Sequence, residues 1–298
     1  MSSLLRAMRP HQWTKNGFVL APLIFARKLT DSDAVLAAAL LFCGFSAVAS
    51  AIYLVNDSAD VERDRAHPVK RLRPIAAGEV SVRTALLMAL VLAVGGFGLA
   101  WQSTPAATAV VGIYFVVNLA YSTWLKHVPL LDVFIIAFGF LLRVVAGAFG
   151  IDAGISPWLL ICTFFFALFI AFGKRRAELD DLGDDAGKHR AALDDYGPAF
   201  LDQTLAALMG MTVMSYALYT IDHDVMERLG TDALVLSVPF VLFGVLRYLM
   251  QIHRGKGGSP TRLVLRDRVL QLTVVVYVVL VTFAIYRGLH LGLLAGHA

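Results

Sequence analysis

The chain has 298 residues, of which 58% are hydrophobic and only 16% are charged. A soluble globular domain carries about 25% charged residues, so this chain has too few charges to cover a water-facing surface. Lys and Arg number 26 against 22 Asp and Glu, an excess too small to suggest a nucleic-acid-binding protein. The composition therefore predicts an all-α, polytopic membrane protein.

Neither the cysteines nor the first residues indicate a secreted protein. Cys43 and Cys162 each lie within an apolar run, which excludes a disulfide scaffold. The first residues contain neither a long apolar core before the first charges nor a small-residue cleavage site. We therefore expect no cleavable signal peptide.

Nine apolar runs approach the length of a membrane span, which needs about 20 residues. The first run is the weakest, because Pro22 interrupts it and its ends are polar. We interpret the runs as nine transmembrane helices of one membrane-embedded domain, residues 1–298. The predicted spans are 14–30, 34–57, 82–101, 104–124, 129–151, 156–177, 199–221, 232–252 and 267–289.

The distribution of basic residues predicts the orientation of these spans. Placing the N-terminus in the cytoplasm puts most of the 26 Lys and Arg residues on the cytoplasmic side, as the positive-inside rule requires. Two long loops on that side, 58–81 and 174–198, are rich in charges of both signs. We therefore expect a multi-pass protein of the cell membrane, in contact with its lipids, with a polar cavity facing the cytoplasm. A homo-oligomer is compatible with the sequence.

The end of the second predicted span carries polar residues at helical spacing. Asn56, Asp60 and Asp64 are four residues apart and therefore share one helix face. Tyr53 joins that face and Asp57 lies beside it, and both are candidate substrate contacts. Oxygen ligands at this spacing suit Mg²⁺, which keeps several waters and also binds substrate phosphates. The spacing predicts a metal site at Asn56, Asp60 and Asp64, with Asp60 and Asp64 as the catalytic carboxylates.

A basic turn follows the acidic residues. His67 and Pro68 are expected to end the helix, and Lys70 and Arg73 come shortly afterwards. Carboxylates next to a basic turn indicate a Mg²⁺–phosphate complex between them, with Lys70 and Arg73 as phosphate ligands. The alternative is a solvated helix end with exposed charge pairs. It is disfavoured because the polar residues begin inside an apolar run, where solvation is costly.

The string NDSADVERDRAHPVKRLRP, residues 56–74, resembles the first aspartate-rich motif of the UbiA superfamily of intramembrane prenyltransferases. In that superfamily the motif holds Mg²⁺ against the diphosphate of an isoprenoid donor. The resemblance implies a UbiA-like bundle of membrane helices with Mg²⁺ as its cofactor.

The segment after the sixth predicted span departs from that pattern. A second aspartate-rich motif is usual there, whereas GKRRAELDDLGDD at 173–185 places Lys174 and Arg175 before its acidic residues. Arg suits two-point contact with phosphate oxygens and Lys acts as a point charge, so both are candidate phosphate ligands. Glu178 follows Lys174 by four residues. It is expected either to pair with Lys174 or to contact a substrate hydroxyl.

Together with RPHQWTKN at 9–16, these motifs resemble the decaprenyl-phosphate phosphoribosyltransferase branch of the superfamily, and the similarity runs through LRDRVLQ at 265–271. The resemblance implies that a polyprenyl phosphate, of decaprenyl length in that branch, is the acceptor. It implies that 5-phosphoribosyl-1-diphosphate (PRPP) is the donor. The product would serve as an arabinan precursor in cell-wall biosynthesis.

Three further basic residues are candidate substrate contacts. Lys15 follows Trp13 at the start of the first span, where an interfacial snorkelling pair is the alternative to a phosphate ligand. Lys126, at the end of the fourth span, is also explained by positive-inside bias alone. Arg143 lies deep in the fifth span, where an arginine faces a cavity or a partner. Direct substrate contact and pairing with an internal carboxylate both stay open for it.

The sequence favours one function over two alternatives. We predict transfer of 5-phosphoribose from PRPP to a polyprenyl phosphate, with release of diphosphate. A conventional UbiA prenyltransferase with an isoprenyl diphosphate donor would be favoured by a second full metal site at Asp180–Asp185. A transporter of a phosphorylated solute would place its binding groups near the membrane midplane, and only Arg143 lies at that depth.

Overall fold

The computed structural model describes residues 2–182, 195–256 and 260–292, and within these ranges it is helical, with no strand. The α-helices are α1 (Ser3–Ala7), α2 (Ala21–Phe25), α3 (Ser32–Ala59), α4 (Val61–Ala66), α5 (Val82–Ser103), α6 (Pro105–Thr123), α7 (Leu131–Gly150), α8 (Pro157–Leu182), α9 (Pro198–Ile221), α10 (His223–Leu229), α11 (Val238–Gln251), α12 (Pro260–Arg266) and α13 (Arg268–Arg287). Segments of 3₁₀-helix lie at Pro10–Leu20, Lys70–Leu72, Leu125–His127 and Ala233–Ser237, and a π-helical turn lies at Ile252–Lys256.

Eight helices in the described part of the chain are long and apolar enough to cross a membrane. They coincide with the second to ninth predicted spans, which confirms a multi-pass membrane protein. Their bounds are Ser32–Ala59, Val82–Ser103, Pro105–Thr123, Leu131–Gly150, Pro157–Asp180, Pro198–Ile221, Ala233–Gly255 and Arg268–Arg287.

The first predicted span, 14–30, does not form one long helix. A 3₁₀-helix occupies Pro10–Leu20, and α2 continues it only through Phe25. Pro22 lies in the first turn of α2, a position that suits proline because its missing N–H would have no helical partner there. A count of nine membrane helices, and a polar cavity open to the cytoplasm, stay predictions.

The chain divides into two compact units. The first comprises Met1–Leu23, Leu29–Thr123 and Leu142–Gly154, and the second comprises Ile24–Lys28, Trp124–Leu141 and Ile155–Ala298. In the first unit, Leu41 and Phe45 of α3 pack with Val111 of α6 in a fully buried core. In the second unit, Leu234 and Ile285 are completely buried in a core of their own. A single membrane-embedded domain over 1–298 stays a prediction.

Gly147 of α7 allows the 3₁₀-helix Pro10–Leu20 to approach closely. A Cβ added there would overlap the Val19 carbonyl oxygen, would lie 2.9 Å from the Val19 carbonyl carbon and would lie 3.2 Å from Pro22 Cγ. We expect Gly147→Ala to cost about 1–3 kcal/mol of stability, as overpacking typically does. The substitution should lower the melting temperature of the purified protein in detergent.

Gly95→Ala in α5 is the matched control for Gly147→Ala, because a Cβ there meets no heavy atom within 4 Å. It should leave the melting temperature unchanged or raise it slightly, since alanine has the higher helix propensity. Equal melting temperatures for the two variants would show that the close approach at Gly147 does not contribute to stability.

Candidate active site

The acidic face predicted at the end of α3 is present. The backbone N–H of Asp60 donates to Asn56 O at 2.9 Å, and that of Asp64 donates to Asp60 O at 2.8 Å. Helical hydrogen bonding therefore carries across the junction between α3 and α4, and the three residues follow one another at one-turn intervals. This confirms the predicted spacing, whereas the roles of the three side chains stay predictions.

The chain ends α4 where His67-Pro68 predicts and then folds back. The backbone N–H groups of Val69 and Lys70 donate to His67 Nδ1 at 3.1 and 3.3 Å, which closes the turn after α4. The Arg73 N–H donates to Lys70 O at 2.9 Å. This compact turn returns the Arg73 side chain to the acidic face.

Arg73 joins two buried carboxylates of that face. Its Nη1 donates to Asp57 Oδ1 at 2.9 Å and to Asp64 Oδ2 at 2.6 Å. Asp57 and Asp64 are only 4% and 2% exposed, so their ionised forms need compensating charge. The structure therefore brings Asp57, rather than Asp60, together with Asp64. Asp60 pairs with Arg63 at 3.5 Å near the surface.

Arg9 supplies the second positive charge. Its Nη2 lies 2.6 Å from both oxygens of Asp57, and its guanidinium carbon lies 4.9 Å from the centre of the Tyr53 ring. Two guanidinium groups and two buried carboxylates thus form one charge-balanced cluster, which we call the Asp57 cluster (Arg9, Asp57, Asp64, Arg73). Tyr53, predicted as a substrate contact, supports Arg9 in this structure.

The donor chemistry of this region fits Mg²⁺. In the described residues no three Asp, Glu, His or Cys side chains come together as a metal-holding group. Mg²⁺ does not require one, because it usually binds through one or two carboxylates, substrate phosphates and waters. A cationic group, the Arg73 guanidinium, already lies between Asp57 and Asp64. The Asp57 and Asp64 carboxylates therefore converge at a position that accepts positive charge.

The intramembrane Arg143 is buried in the first unit. Its Nε donates to Asn16 Oδ1 at 2.9 Å and its Nη2 donates to Tyr114 Oη at 2.8 Å. The guanidinium also lies 4.6 Å from the centre of the Tyr114 ring. These contacts connect Arg143 to the N-terminal 3₁₀-helix, and direct substrate contact by Arg143 stays a prediction. Lys15, Lys70 and Lys126 are all partly exposed.

Arg175 lies in a buried polar network of the second unit. Its side chain is completely buried, with Nε 2.7 Å from Asp132 Oδ2 and Nη1 2.7 Å from Glu178 Oε2. Tyr196 Oη donates to the other Asp132 oxygen at 2.8 Å. Burial raises the pKa of Tyr196 well above its ordinary value, and the hydrogen bond with Asp132 raises it further. Tyr196 therefore stays a protonated donor near neutral pH.

The same network shapes the turn before α7. The Leu130 N–H donates to Tyr196 Oη at 2.6 Å, and Leu130 has φ of 63°, a left-handed conformation that is uncommon outside glycine. The 3₁₀-helix Leu125–His127, which carries Lys126, directly precedes this turn. Tyr196 and Asp132 therefore position the loop that presents Lys126.

Lys174 differs from its neighbour Arg175. Its side chain is 38% exposed and its Nζ lies 3.4 Å from Glu178 Oε1, which confirms the predicted pairing. The next residue, Arg176, binds Asp202 with Nε at 2.7 Å and also pairs with Asp180. Asp184 and Asp185, in the acidic stretch Asp180–Asp185 that was considered as a second metal site, lie outside the described residues.

Comparison with known proteins identifies the family of this chain. The sequence matches the model of the UbiA prenyltransferase family over residues 17–266. The chain belongs to the UbiA prenyltransferase family. It is 38% identical over 293 residues to the decaprenyl-phosphate phosphoribosyltransferase of Corynebacterium glutamicum, with 95% of this chain and 86% of that protein covered. The protein of the same name from Mycolicibacterium smegmatis is 37% identical over 297 residues, with 96% and 93% covered.

Solved structures carry the same fold as this UbiA chain. A UbiA homolog from Archaeoglobus fulgidus bound to GPP and Mg²⁺ aligns with a TM-score of 0.69 and 19% identity, over 96% of this chain and 100% of that one. The same homolog has been solved with Cd²⁺. The alignment confirms the all-α, polytopic UbiA fold.

Sequence reasoning missed several residues of the UbiA chain's polar clusters. Asp132 and Tyr196 are distant in sequence from the motif they support, so no local spacing indicates them. Arg9 had a signal, since it opens the string RPHQWTKN that marks the resemblance. Asn16 closes the same string and is 1% exposed, and polar side chains this buried are in the large majority hydrogen-bonded.

Proposed function

We propose that the chain transfers the 5-phosphoribosyl group of PRPP to a polyprenyl phosphate and releases diphosphate. The observation that carries this proposal is the sequence identity of the chain to two proteins named decaprenyl-phosphate phosphoribosyltransferase. The chain is 38% and 37% identical to them over nearly its whole length. The partly exposed Lys174, near the start of the segment at 173–185, is compatible with this proposal. A donor with a 5-phosphate and an acceptor with its own phosphate bring more negative charge than an isoprenyl diphosphate does.

The reaction is a substitution at the anomeric carbon of ribose. The bond between C1 and the diphosphate oxygen breaks, and diphosphate leaves with the electron pair. An oxygen of the lipid phosphate forms the new bond to C1. That phosphate is already ionised, so no general base is required. In-line attack predicts inversion at C1, and positioning with charge stabilisation supplies the catalysis.

The residues of the first unit are assigned to the diphosphate. Asn56, Asp60 and Asp64 would hold Mg²⁺, which would neutralise the charge that develops on the leaving group. Arg73 and Lys70, with Lys15, are assigned to the diphosphate oxygens. Because Arg73 already bonds Asp64, Arg73 and a metal ion compete for that carboxylate.

Other basic residues are assigned to the remaining phosphates. Lys174 and Lys126 are partly exposed and are proposed to bind the sugar 5-phosphate or the lipid phosphate. Arg175 is revised from a phosphate ligand to a positioning residue, because its completely buried side chain holds Glu178 and Asp132. We also propose that the N-terminus and the site face the cytoplasm, because PRPP is a water-soluble donor.

A panel of donors tests this function against the conventional UbiA reaction. The purified protein in detergent is given Mg²⁺ and decaprenyl phosphate with labelled PRPP, or an aromatic acceptor with labelled geranyl or farnesyl diphosphate. We expect label in the lipid product with PRPP and none with the isoprenyl diphosphates. Transfer from an isoprenyl diphosphate, with no transfer from PRPP, would overturn the proposal in favour of a conventional prenyltransferase.

A further inference from the structure

The N-terminal 3₁₀-helix is bound along one stripe of α3. Trp13 Nε1 donates to Ser50 Oγ at 3.0 Å, and Asn16 Nδ2 donates to Ser46 Oγ at 3.0 Å. Arg9 continues this line to Asp57. The contacted α3 positions are successively four and seven residues apart, so they share one helix face. We call residues 9–16 the N-terminal strap.

The strap is held at its other end by Arg143. Arg143 Nε donates to Asn16 Oδ1 at 2.9 Å while its Nη2 binds Tyr114 Oη at 2.8 Å. The strap therefore has a buried polar contact on each side of Trp13. Side-chain hydrogen bonds therefore contribute to its placement along α3.

The backbone conformation of Arg9 accompanies the contact of its side chain with Asp57. Arg9 has φ 56° and ψ 59°, the left-handed region, and Pro10 follows it directly. A non-glycine residue adopts this conformation only where surrounding contacts compensate for it. Here the compensation is the contact of Nη2 with both Asp57 oxygens at 2.6 Å. The conformation and the contact belong to one arrangement.

Asp57 depends on both of its arginines. Its side chain is 5% exposed, and its ion pairs are with Arg9 and Arg73. Arg73 is shared, because the same nitrogen also bonds Asp64. If Arg9 were removed, Arg73 alone would have to compensate the buried Asp57 charge and would be drawn away from Asp64. Arg9 thus determines whether the Arg73 guanidinium stays bonded to Asp64 at the acidic face.

We infer that Arg9 is a positioning residue of the diphosphate site: it neutralises Asp57, so that Arg73 remains shared with Asp64 and available to the leaving diphosphate. The inference rests on the proposed function for the identity of the donor. It adds a role for the N-terminal strap, in which Arg9 acts through Asp57 and Arg73 without itself touching the substrate.

Equilibrium binding of labelled PRPP to the purified full-length protein, with Mg²⁺ present and acceptor absent, tests this role. Arg9→Met should raise the Kd for PRPP about ten-fold, the size of effect that a lost charge-assisted hydrogen bond produces. Arg9→Lys keeps the charge and should fall between wild type and Arg9→Met. The KM for the lipid acceptor should stay unchanged in both variants.

Arg6→Met is the matched control. Arg6 lies three residues before Arg9 and also ties the N-terminus to the first unit, through an exposed pair with Glu79. It should leave PRPP binding within two-fold of wild type. Equal effects of Arg6→Met and Arg9→Met on PRPP binding would mean that the N-terminus merely needs anchoring, and the inference would be wrong.

A double-mutant cycle separates positioning from direct contact. If Arg9 acts through Asp57, adding Arg9→Met to Asp57→Asn should weaken PRPP binding no further than Asp57→Asn does alone. Effects that multiply would mean that Arg9 contacts the donor independently, which overturns the positioning role. Should Arg9→Met fold poorly, the cycle is run with Arg9→Lys, which keeps a charge beside Asp57.

The same variants keep this test apart from the test of the donor. If wild-type protein binds an isoprenyl diphosphate and not PRPP, the proposed function is wrong, and the cycle is repeated with the isoprenyl diphosphate. A ten-fold loss that disappears in the Asp57→Asn background would then still establish the role of Arg9. Unchanged diphosphate binding in Arg9→Met, with either donor, would overturn it.

Discussion

Replacing Asp64 with Asn is expected to abolish phosphoribosyl transfer, with a loss of about 1,000-fold or more in kcat/KM. Asp64 is 2% exposed and accepts a hydrogen bond from Arg73 Nη1 at 2.6 Å. The substitution keeps the shape of the side chain and removes its charge. It thereby removes a proposed metal ligand and a counter-ion of Arg73 together. Asp60→Asn should abolish turnover too, because Asp60 is assigned to the same ion.

The measurement is label transfer from PRPP to lipid at saturating substrates and fixed Mg²⁺. Glu62→Gln is the matched control, because Glu62 lies on the same short helix α4 but has an 80% exposed side chain that pairs only at the surface with Arg65. It should retain wild-type turnover. Full activity in both Asp60→Asn and Asp64→Asn would contradict the metal assignment.

Replacing Arg175 with Ala is expected to have the second largest effect, on stability rather than on substrate affinity. Its side chain is completely buried, and Asp132, its partner at 2.7 Å, is equally buried. Removing one member of such a pair leaves an uncompensated charge and typically costs about 3–5 kcal/mol. The melting temperature should fall by many degrees, and the yield of folded protein should drop. Arg176→Ala is the control, because its partners Asp180 and Asp202 are 42% and 40% exposed and can be solvated.

Lys174→Ala should behave in the opposite way. Lys174 is 38% exposed, so its removal leaves the fold intact and should raise the KM of one phosphate-bearing substrate about ten-fold. The KM values for PRPP and for the lipid phosphate, measured separately, show which phosphate it binds. Unchanged KM values for both, or wild-type stability in Arg175→Ala, would refute this division of roles.

Regular helical spacing made part of the candidate site predictable. The one-turn intervals between Asn56, Asp60 and Asp64 depend only on local helix geometry, and they survive the junction of α3 with α4. The turn after His67-Pro68 was also predictable, because proline cannot continue a helix. Its consequence, the return of Arg73 to Asp57 and Asp64, depends on three-dimensional packing.

Lys174 and Arg175 differ in burial, which the sequence did not predict. Both were expected to bind phosphate as a pair of cations. Consecutive residues on an α-helix point about 100° apart, so the two side chains face different directions. Which of the two side chains is buried depends on Asp132 and Tyr196, which are distant in sequence. No local pattern could have identified those partners.

Hydropathy alone did not predict the local structure of the N-terminal segment. The run 14–30 is apolar enough to resemble a span, yet Trp13 and Asn16 hydrogen-bond to serines of α3. A segment that uses polar side chains to bind a neighbouring helix need not form a membrane helix of its own. Arg9 extends the same contacts to the buried Asp57.

Two labels on PRPP test the central claim most directly. The purified protein is incubated in detergent with Mg²⁺, decaprenyl phosphate and PRPP carrying ³²P either in the 5-phosphate or in the diphosphate. We predict that the 5-phosphate label enters the organic phase, that the diphosphate label stays in the aqueous phase, and that EDTA abolishes the transfer. Diphosphate label in the lipid, or no lipid label from either form, would contradict transfer of the 5-phosphoribosyl group by this protein.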